Sequence, residues 1–567
     1  MGPNGRLDSW KAIAAYLKRD ESTVRRWEKQ GLPVHRHLHS KKASIYAYPS
    51  EIDAWWNAGR TRLEQAEAGR RSRRRLVWLA GSVSLIAAAA AISLLMSERY
   101  RTGEQIASIA VLPLENLSGD PQQDYFADGI TEAIITELGR VKALRVMSRS
   151  SVMQYKGRKK ALQQVARELR VDAIVEGSVL REGSRVRITA QLMRPEPERQ
   201  VWAERYEREI SSVLSLERDV ARAIAAEIHA KLSPQERAVL ASSRSVDAQA
   251  YEAYLKGRYH WYKATPEGLL KARESFEEAI ERDASFAPAY AGLADTYAWV
   301  YRRPSRSLRP PREVFPKAKA AVLKALELDD TLAEAHLALA YIKEAYDWDW
   351  EGAERSYQRA IELNPSYAAA RHGYALFLAI SRRFDESFKH IELAERLDPL
   401  SRSVKNGKGW LYLWSQQYDL ALRQGQIMID LEPGFTQVHY FRGIVYTQKG
   451  MFNEAIASHE RAIAMSGETA RSLALLAHAY GRAGHSEKAH ALIARLVEKT
   501  RQDYVQPHDM TIAYLGVGDK EQALKWLERG FEERDELAAL ARAPFWYVPL
   551  QTEPRFQDLL RRLRLSS

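Results

Sequence analysis

"FDESFKHIELAERLDP", residues 384–399, is followed 34 positions later by "YDLALRQGQIMIDLEP", residues 418–433. Each stretch carries a small residue at the same place, Ser387 and Ala421, and each closes on proline. The small residue recurs at Ala272, Ala318, Ala353, Ser387, Ala421, Ala455, Ala489 and Ala523, in steps of 46, 35 and then 34 throughout. A second series keeps the same period at Tyr412, Tyr446, Tyr480 and Tyr514, and Pro365, Pro399 and Pro433 close three units. A helix pair of this length leaves an apolar face that only the next pair can cover. The units therefore stack into a superhelix with a concave groove. The one long step contains "RRPSRSLRPP", residues 302–311, which predicts an exposed loop.

A period of 34 with small residues at the helix crossing, tyrosine in the first helix and proline at the close resembles the tetratricopeptide repeat (TPR). About eight repeats are predicted over residues 248–535, with residues 536–567 as a capping segment around "PRFQDLLRRLRL". In this family certain first-helix positions line the groove. Carried onto this chain, the resemblance implies that Tyr341, His372, Asn406, Trp410, Tyr440 and His478 contact a protein or peptide. Aromatic residues there suit interhelix packing equally, and the sequence leaves both readings open.

A chain of 567 residues is too long for one core and implies several domains. Its net charge of +12 is uneven. Residues 1–75 hold 17 Lys/Arg against 8 Asp/Glu, or +9, so the other 492 residues carry +3. A small basic head on a nearly neutral body points to a polyanionic partner, nucleic acid or an anionic membrane. No cysteine is present, which removes disulfides, thiolate zinc sites and thiol catalysis.

The head begins with "SWKAIAAYLKR". It places Trp10, Ile13, Ala14 and Leu17 on one helical face. "DES" can cap a second helix, "STVRRWEKQG", which buries Val24 and Trp27 and turns Thr23, Arg25, Arg26 and Lys29 outward. "PVHRHLHSKKASIYAYP" then alternates, with Val34, Arg36 and Leu38 on one side and His35, His37 and His39 on the other, as a hairpin does. Ile52, Trp55, Trp56, Gly59, Leu63 and Ala66 form the stripe of a further helix. Helix-turn-helix plus hairpin is a winged helix-turn-helix, whose second helix reads the major groove. The order of elements and the residues "TVRRWEKQGLP" resemble the MerR-like winged helix-turn-helix. The expected contacts to double-stranded DNA are Ser22, Thr23, Arg25, Arg26, Lys29, Arg36, His37, Lys41 and Lys42, within a DNA-binding domain of residues 1–58. The three histidines could also bind zinc, but no fourth ligand is spaced to join them. Contact with phosphate from the wing, or a neutral surface role, are the other readings, and no metal or cofactor is expected.

A basic linker helix, residues 59–75, leads to "LVWLAGSVSLIAAAAAISLLM", residues 76–96. These 21 uncharged residues match a bilayer core in length and predict a transmembrane helix. Five arginines on the N-terminal flank put the head in the cytoplasm and the remainder outside it. The expected location is therefore a bacterial inner membrane, crossed once, with a periplasmic C-terminal region.

Between this span and the repeats, residues 106–232 alternate strands and helices with one hairpin about "REGSR", an α/β layer. "IAVLPLENLSGDPQQDYFADGITEAI", "VMSRSSVMQYKG" and "DAIVEGSVLREGSRVRITAQL" closely resemble the TolB-like N-terminal domain, which implies a sensing or assembly module. A linker, residues 233–247, follows. Asp120, Asp124 and Asp128 lack the alternate-residue spacing and glycine of a calcium loop, and read as loop and helix-start polarity.

No phosphate-binding loop, nucleophile elbow or His-Glu-x-x-His pair is present, so no enzymatic activity is expected. The sequence predicts a multidomain, mainly α protein: winged helix-turn-helix, one transmembrane helix, TolB-like α/β domain and C-terminal TPR α-solenoid. The function it points to is a membrane-tethered DNA-binding transcriptional regulator, with homodimerisation as a means of covering two half-sites. The alternative is a membrane-anchored scaffold for envelope protein complexes, its head a protein-binding or nonspecific DNA-anchoring module.

Overall fold

The computed structural model describes residues 5–37, 44–59, 106–228, 232–234, 236, 245–302, 310–535 and 545–563. The chain divides into two units, Met1–Glu104 and Gln105–Ser567.

The first unit is the head. Helix α1 (Trp10–Tyr16) starts at Ser9, whose hydroxyl accepts from the Ala12 amide, and α2 (Glu21–Glu28) starts at Asp20, whose carboxylate accepts from Thr23. Strands β1 (His35–His37) and β2 (Ser44–Tyr46) pair antiparallel, with Arg36 opposite Ile45, and Leu7 bridges to Ala47 beside them. Helix α3, residues 49–59, follows. Ile13, Ala14, Val24, Trp27, Leu32, Ile45, Ala47 and Ile52 form one buried core, closed by Trp55 and Trp56 against Trp27 at 6.0 and 5.1 Å.

The second unit begins with an α/β layer. Strand β3 (Ser108–Val111) lies between β5 (Arg145–Val146) and β6 (Ala173–Glu182), parallel to both. The short β4 (Glu115–Asn116) also pairs parallel with β6. Strands β7 (Arg185–Pro195) and β8 (Glu198–Glu209) extend the sheet antiparallel, in the order β5-β3-β6-β7-β8. Two hairpins are therefore present where the pattern predicts one. The second is masked in the sequence because a register irregularity opposite Leu192/Met193 breaks the two-residue alternation of β8. Helix α4 (Asp124–Gly139) and α7 (Val213–Glu227) cover one face, with Ile130, Ile134, Leu138, Val220 and Ile224 fully buried. Short helices α5 (Arg149–Val152) and α6 (Leu162–Leu169) belong to a second core with Val152, Val165 and Ile174.

The repeats follow as antiparallel helix pairs, from Ala248–Lys263 with Pro266–Arg282 to Pro507–Gly516 with Lys520–Glu533. All eight small residues of the 34-residue series are 0% exposed, because they sit where each second helix crosses its neighbours. The turn inside the pair repeats as well. Trp348, Arg382, Gln416, Gly450, Gly484 and Gly518 all have positive φ, between 57° and 83°. A left-handed residue is needed there to reverse the chain, and side chains with a Cβ adopt it at a cost of about 1–2 kcal/mol. Arg382→Gly and Gln416→Gly are therefore each expected to stabilise the array by about 0.5–1 kcal/mol in equilibrium denaturation.

The first repeat and the α/β layer share one core. Tyr251, Leu255, Ala279 and Phe286 pack with the side chains of α4 and α7, and Gly129 leaves room for Leu255. Later repeats touch the same layer. Ser366 accepts from the Val146 amide at 3.1 Å, the Leu397 carbonyl accepts from Ser148, and the buried Asp398 carboxylate accepts from the hydroxyls of Ser150 and Ser151.

The expected fold class needs one correction. No described helix is long and apolar enough to cross a membrane, so the described residues form a mainly helical architecture that does not support the expected membrane helix or the inner-membrane location built on it. Residues 76–96, and most of the linker helix at 59–75, lie outside the described residues. The 21-residue apolar run met the length criterion, but length and hydropathy alone do not establish a span.

Candidate nucleic-acid interface and repeat groove

On the head, α2 turns Glu21, Ser22, Arg25, Arg26 and Lys29 to solvent while Val24 and Trp27 are buried. Its start is tightly organised. The hydroxyls of Ser22 and Thr23 both donate to Asp20, and these bonds, Ser22 first, hold the Asp20 carboxyl well below the usual range. The two hydroxyls are thus committed as donors, and keep only lone pairs for another ligand. Arg25 lies over the Trp10 ring at 5.1 Å and 3.9 Å from Glu21, which holds its guanidinium on the outer face of the helix. Arg36 on β1 donates to Glu28 at 2.6 Å and so ties the wing to the end of α2.

The histidines separate. His35 is half-buried, stacks on Tyr46 with ring centres 5.2 Å apart, and meets Glu51 at 2.7 Å. That environment is a packed imidazole within hydrogen-bond distance of a carboxylate, and the described residues contain no metal-binding cluster. His37 follows two residues on in the same strand, while His39, Lys41 and Lys42 lie outside the described residues. Lys18 and Arg19, exposed in the turn before Asp20, were not among the expected contacts. Their signal was the "KRD" that joins the two helices.

In the array, the first helices of successive pairs touch one another as well as their own partners, which makes theirs the inner surface. Tyr341, His372, Asn406, Trp410 and Tyr440 are half-buried on those helices. Tyr341 packs near Phe315 at 6.1 Å. Trp410 meets Trp414 at 5.9 Å and Phe441 at 5.4 Å. The Tyr440 hydroxyl bonds to Ser466 at 3.0 Å. Apart from Trp410 on Trp414, which share a helix, these contacts are interhelical, and each ring keeps part of its surface exposed.

His478 is corrected. It is 4% exposed, its Nδ1 bonds to the Ile512 carbonyl at 2.9 Å, and the ring of Trp546 stands against it at 5.0 Å. It belongs to a core, because the inner surface of the last two repeats is occupied by the chain itself. Phe545, Trp546, Tyr547, Leu550, Phe556, Leu559 and Leu563 all lie in one cluster with Leu411, Phe441, Leu475 and Ile512. The Tyr547 hydroxyl and His508 Nδ1 are 2.6 Å apart. The final helix, Pro554–Arg562, then brings the Leu563 carbonyl to Trp350 Nε1 at 2.8 Å, and Phe531 packs on Trp348 at 4.7 Å. The eighth repeat and its cap thus close on the third. An open groove along the whole array, as stacking alone implies, is therefore not what forms.

Burial holds three histidines of this region neutral. His459 is pushed down to about 3, first by burial and then by His478, which charges ahead of it as pH falls. His478 is pushed down to about 4, and His508 well below its usual value. A group with a depressed folded pKa stabilises fully above the unfolded value, near 6.5, and loses that contribution as pH falls through the folded value. The repeat region is therefore expected to lose stability between about pH 6.5 and pH 3. His459→Asn, compared with wild type by denaturant titration across that range, is expected to flatten part of the slope.

Residues 104–223 match the family model of the HilA/YgeH-like transcriptional regulator, second domain. The match takes the place of the TolB-like domain expected there, and it starts beyond the head. A Rhizobium meliloti (strain 1021) protein named "Putative adenylate cyclase 3" is 39% identical over 187 residues, which are 33% of this chain and 32% of that protein. Superkiller protein 3 of Schizosaccharomyces pombe is 24% identical over 264 residues, 45% of this chain and 18% of the relative. The chain thus spans less than a third of the length of either curated relative. A solved tetratricopeptide repeat protein from Parabacteroides merdae is 17% identical and covers 48% of this chain and 99% of its own, at a TM-score of 0.36.

Proposed function

We propose that this protein is a DNA-binding transcriptional regulator whose repeat region receives a protein or peptide. The observation that carries the reading is the head: a capped helix with Arg25, Arg26 and Lys29 exposed, followed by a hairpin, on a unit that holds +9 of the chain's +12. The HilA/YgeH-like domain supports it, since that match is to a component of transcriptional regulators. Arg25 and Arg26 contact bases or phosphates of the major groove, Lys29 and Arg36 contact the backbone, and the wing lies along the flanking duplex. Ser22 and Thr23 accept rather than donate in this arrangement. The proposal contains no catalytic step.

Mapping of genomic fragments bound by the full chain tests it. One preferred sequence is expected, and affinity for it should fall steeply as salt rises. Arg25→Ala with Arg26→Ala is expected to weaken binding by about tenfold or more, at about 1–3 kcal/mol for each bidentate arginine–base pair removed. Fragments without a shared sequence, or an affinity indifferent to both arginines, would sink the regulator reading. They would favour the scaffold reading instead, in which the half-exposed rings of Trp410 and Tyr440 receive partner proteins and the head anchors without sequence preference.

A further inference from the structure

Strand β8 is the outer strand of its sheet. Strand β7 pairs along one side, and among the described residues no strand pairs along the other. Its register with β7 runs unbroken from Trp202 to Glu209, and Val201 is the extra residue at the irregularity that ends this stretch. Ala203, Glu204, Arg205, Glu207, Arg208 and Glu209 are exposed, and Tyr206 is half-buried. A straight edge of that length presents a row of unpaired N–H and C=O groups, a template for another strand.

We propose that the edge of β8 pairs antiparallel with β8 of a second copy of this chain, about a two-fold axis through Tyr206. The charges choose both the partner and the register. With the axis at Tyr206, Glu204 faces the second copy's Arg208 and Arg205 faces the second copy's Glu207, and symmetry repeats both pairs. All four charges flanking the axis then meet an opposite charge. Sliding one copy by two residues, the next register in which outward backbone groups still meet, sets Arg205 against Arg205 in one direction and Glu207 against Glu207 in the other, and like charges directly opposite destabilise a strand pair. The existing partners of these side chains do not block the edge. Arg187 meets Glu207 at 3.1 Å, Arg208 meets Asp219 at 3.5 Å, and the Tyr206 hydroxyl donates to Glu204 at 2.7 Å, while the outward Glu207 carbonyl accepts from the exposed Arg208 side chain at 2.9 Å, a bond that pairing with the second copy displaces. The axis stands perpendicular to the sheet, so α4 and α7 of both copies stay on one face. Exposed ion pairs add little affinity, and their part here is to fix register. The backbone ladder is short, so the dimer is reversible.

The chain has no cysteine, so one introduced thiol reports position cleanly. In the full chain, Tyr206→Cys is expected to form an intermolecular disulfide under mild oxidation, because facing residues of an antiparallel pair lie about 4.5–5.5 Å apart at Cα. Glu204→Cys alone should stay unlinked, whereas a mixture of Glu204→Cys and Arg208→Cys chains should link. Sedimentation of variants without thiols gives the second arm. Arg205→Glu should abolish the reversible dimer, and Arg205→Glu/Glu207→Arg should restore it. A chain monomeric up to about 100 µM, with Tyr206→Cys unlinked, overturns the proposal. So does linking at Glu204→Cys as readily as at Tyr206→Cys, or an Arg205→Glu variant that dimerises like wild type. A β8 edge that cross-links only to other proteins also overturns it.

Discussion

Trp546→Ala together with Tyr547→Ala is expected to destabilise the repeat region by about 4 kcal/mol or more, since removal of one buried large aromatic typically costs about 3–5 kcal/mol. Trp546 is 4% exposed and Tyr547 1%. Between them they cover His478 and His508 on the last two first helices. Their loss leaves a cavity, removes the hydroxyl from His508, and uncovers the apolar inner surface around Leu475 and Ile512. Chemical denaturation of the double variant should show a lower midpoint, and an apolar dye should bind the native state where wild type does not bind it. Trp546→Phe retains most of the ring contact and should fall between the two. A double variant with wild-type stability would mean that residues 545–563 dock loosely and that the groove is open after all.

Glu132→Ala is the second large effect, expected at about 3 kcal/mol, the lower end of what breaking a buried ion pair costs. Glu132 lies on α4, facing the first repeat. Arg258 donates to it through Nε at 3.1 Å, the Tyr262 hydroxyl donates at 2.8 Å, and Arg149 approaches at 3.5 Å with its guanidinium 3.7 Å from the centre of the Tyr262 ring. Burial alone would raise the Glu132 pKa, but the charges of the two guanidiniums and the hydrogen bonds from Arg258 and Tyr262 outweigh it and hold the carboxyl below its usual value. Removing the carboxylate leaves two cations in a site where both arginine side chains are 12% exposed. Because the network joins the α/β layer to the first repeat, hydrogen exchange should rise on both sides of the contact. Glu132→Gln keeps the shape but not the charge, and should recover only a minor part of the loss. Equal stability of Glu132→Gln and wild type would remove the electrostatic account.

The repeat array was legible because its period is a packing constraint. A helix crossing at every 34th residue admits only a small side chain, so Ala272 through Ala523 mark the fold in the sequence itself and are all fully buried in the structure. The head was legible for a related reason. Ser9 and Asp20 stand one residue before their helices, and Val24 and Trp27 recur at helical spacing. The outward position of Arg25 and Arg26 follows from the inward position of those two residues. Strand β8 was harder to read, since a bulge at Val201 interrupts its alternation and the charged Glu204 separates Trp202 and Tyr206, the two rings it lays against the core on one face.

His478 was beyond the reach of sequence reasoning. Its register on a first helix is that of a groove residue, and nothing within its own repeat shows that Trp546, sixty-eight positions later, will lie over it. The same holds for Asp398, whose serine partners are some 250 residues earlier in the chain. Short-range periodicity determined which residues form helices, which faces they bury and where the positive charge gathers, because each of these depends on neighbours within a turn or a repeat. How the last repeat closes on the third, and what fills the space between, depends on the summed small rotations of every pair in between. That sum exists only in the folded array, so only the tertiary structure decided it.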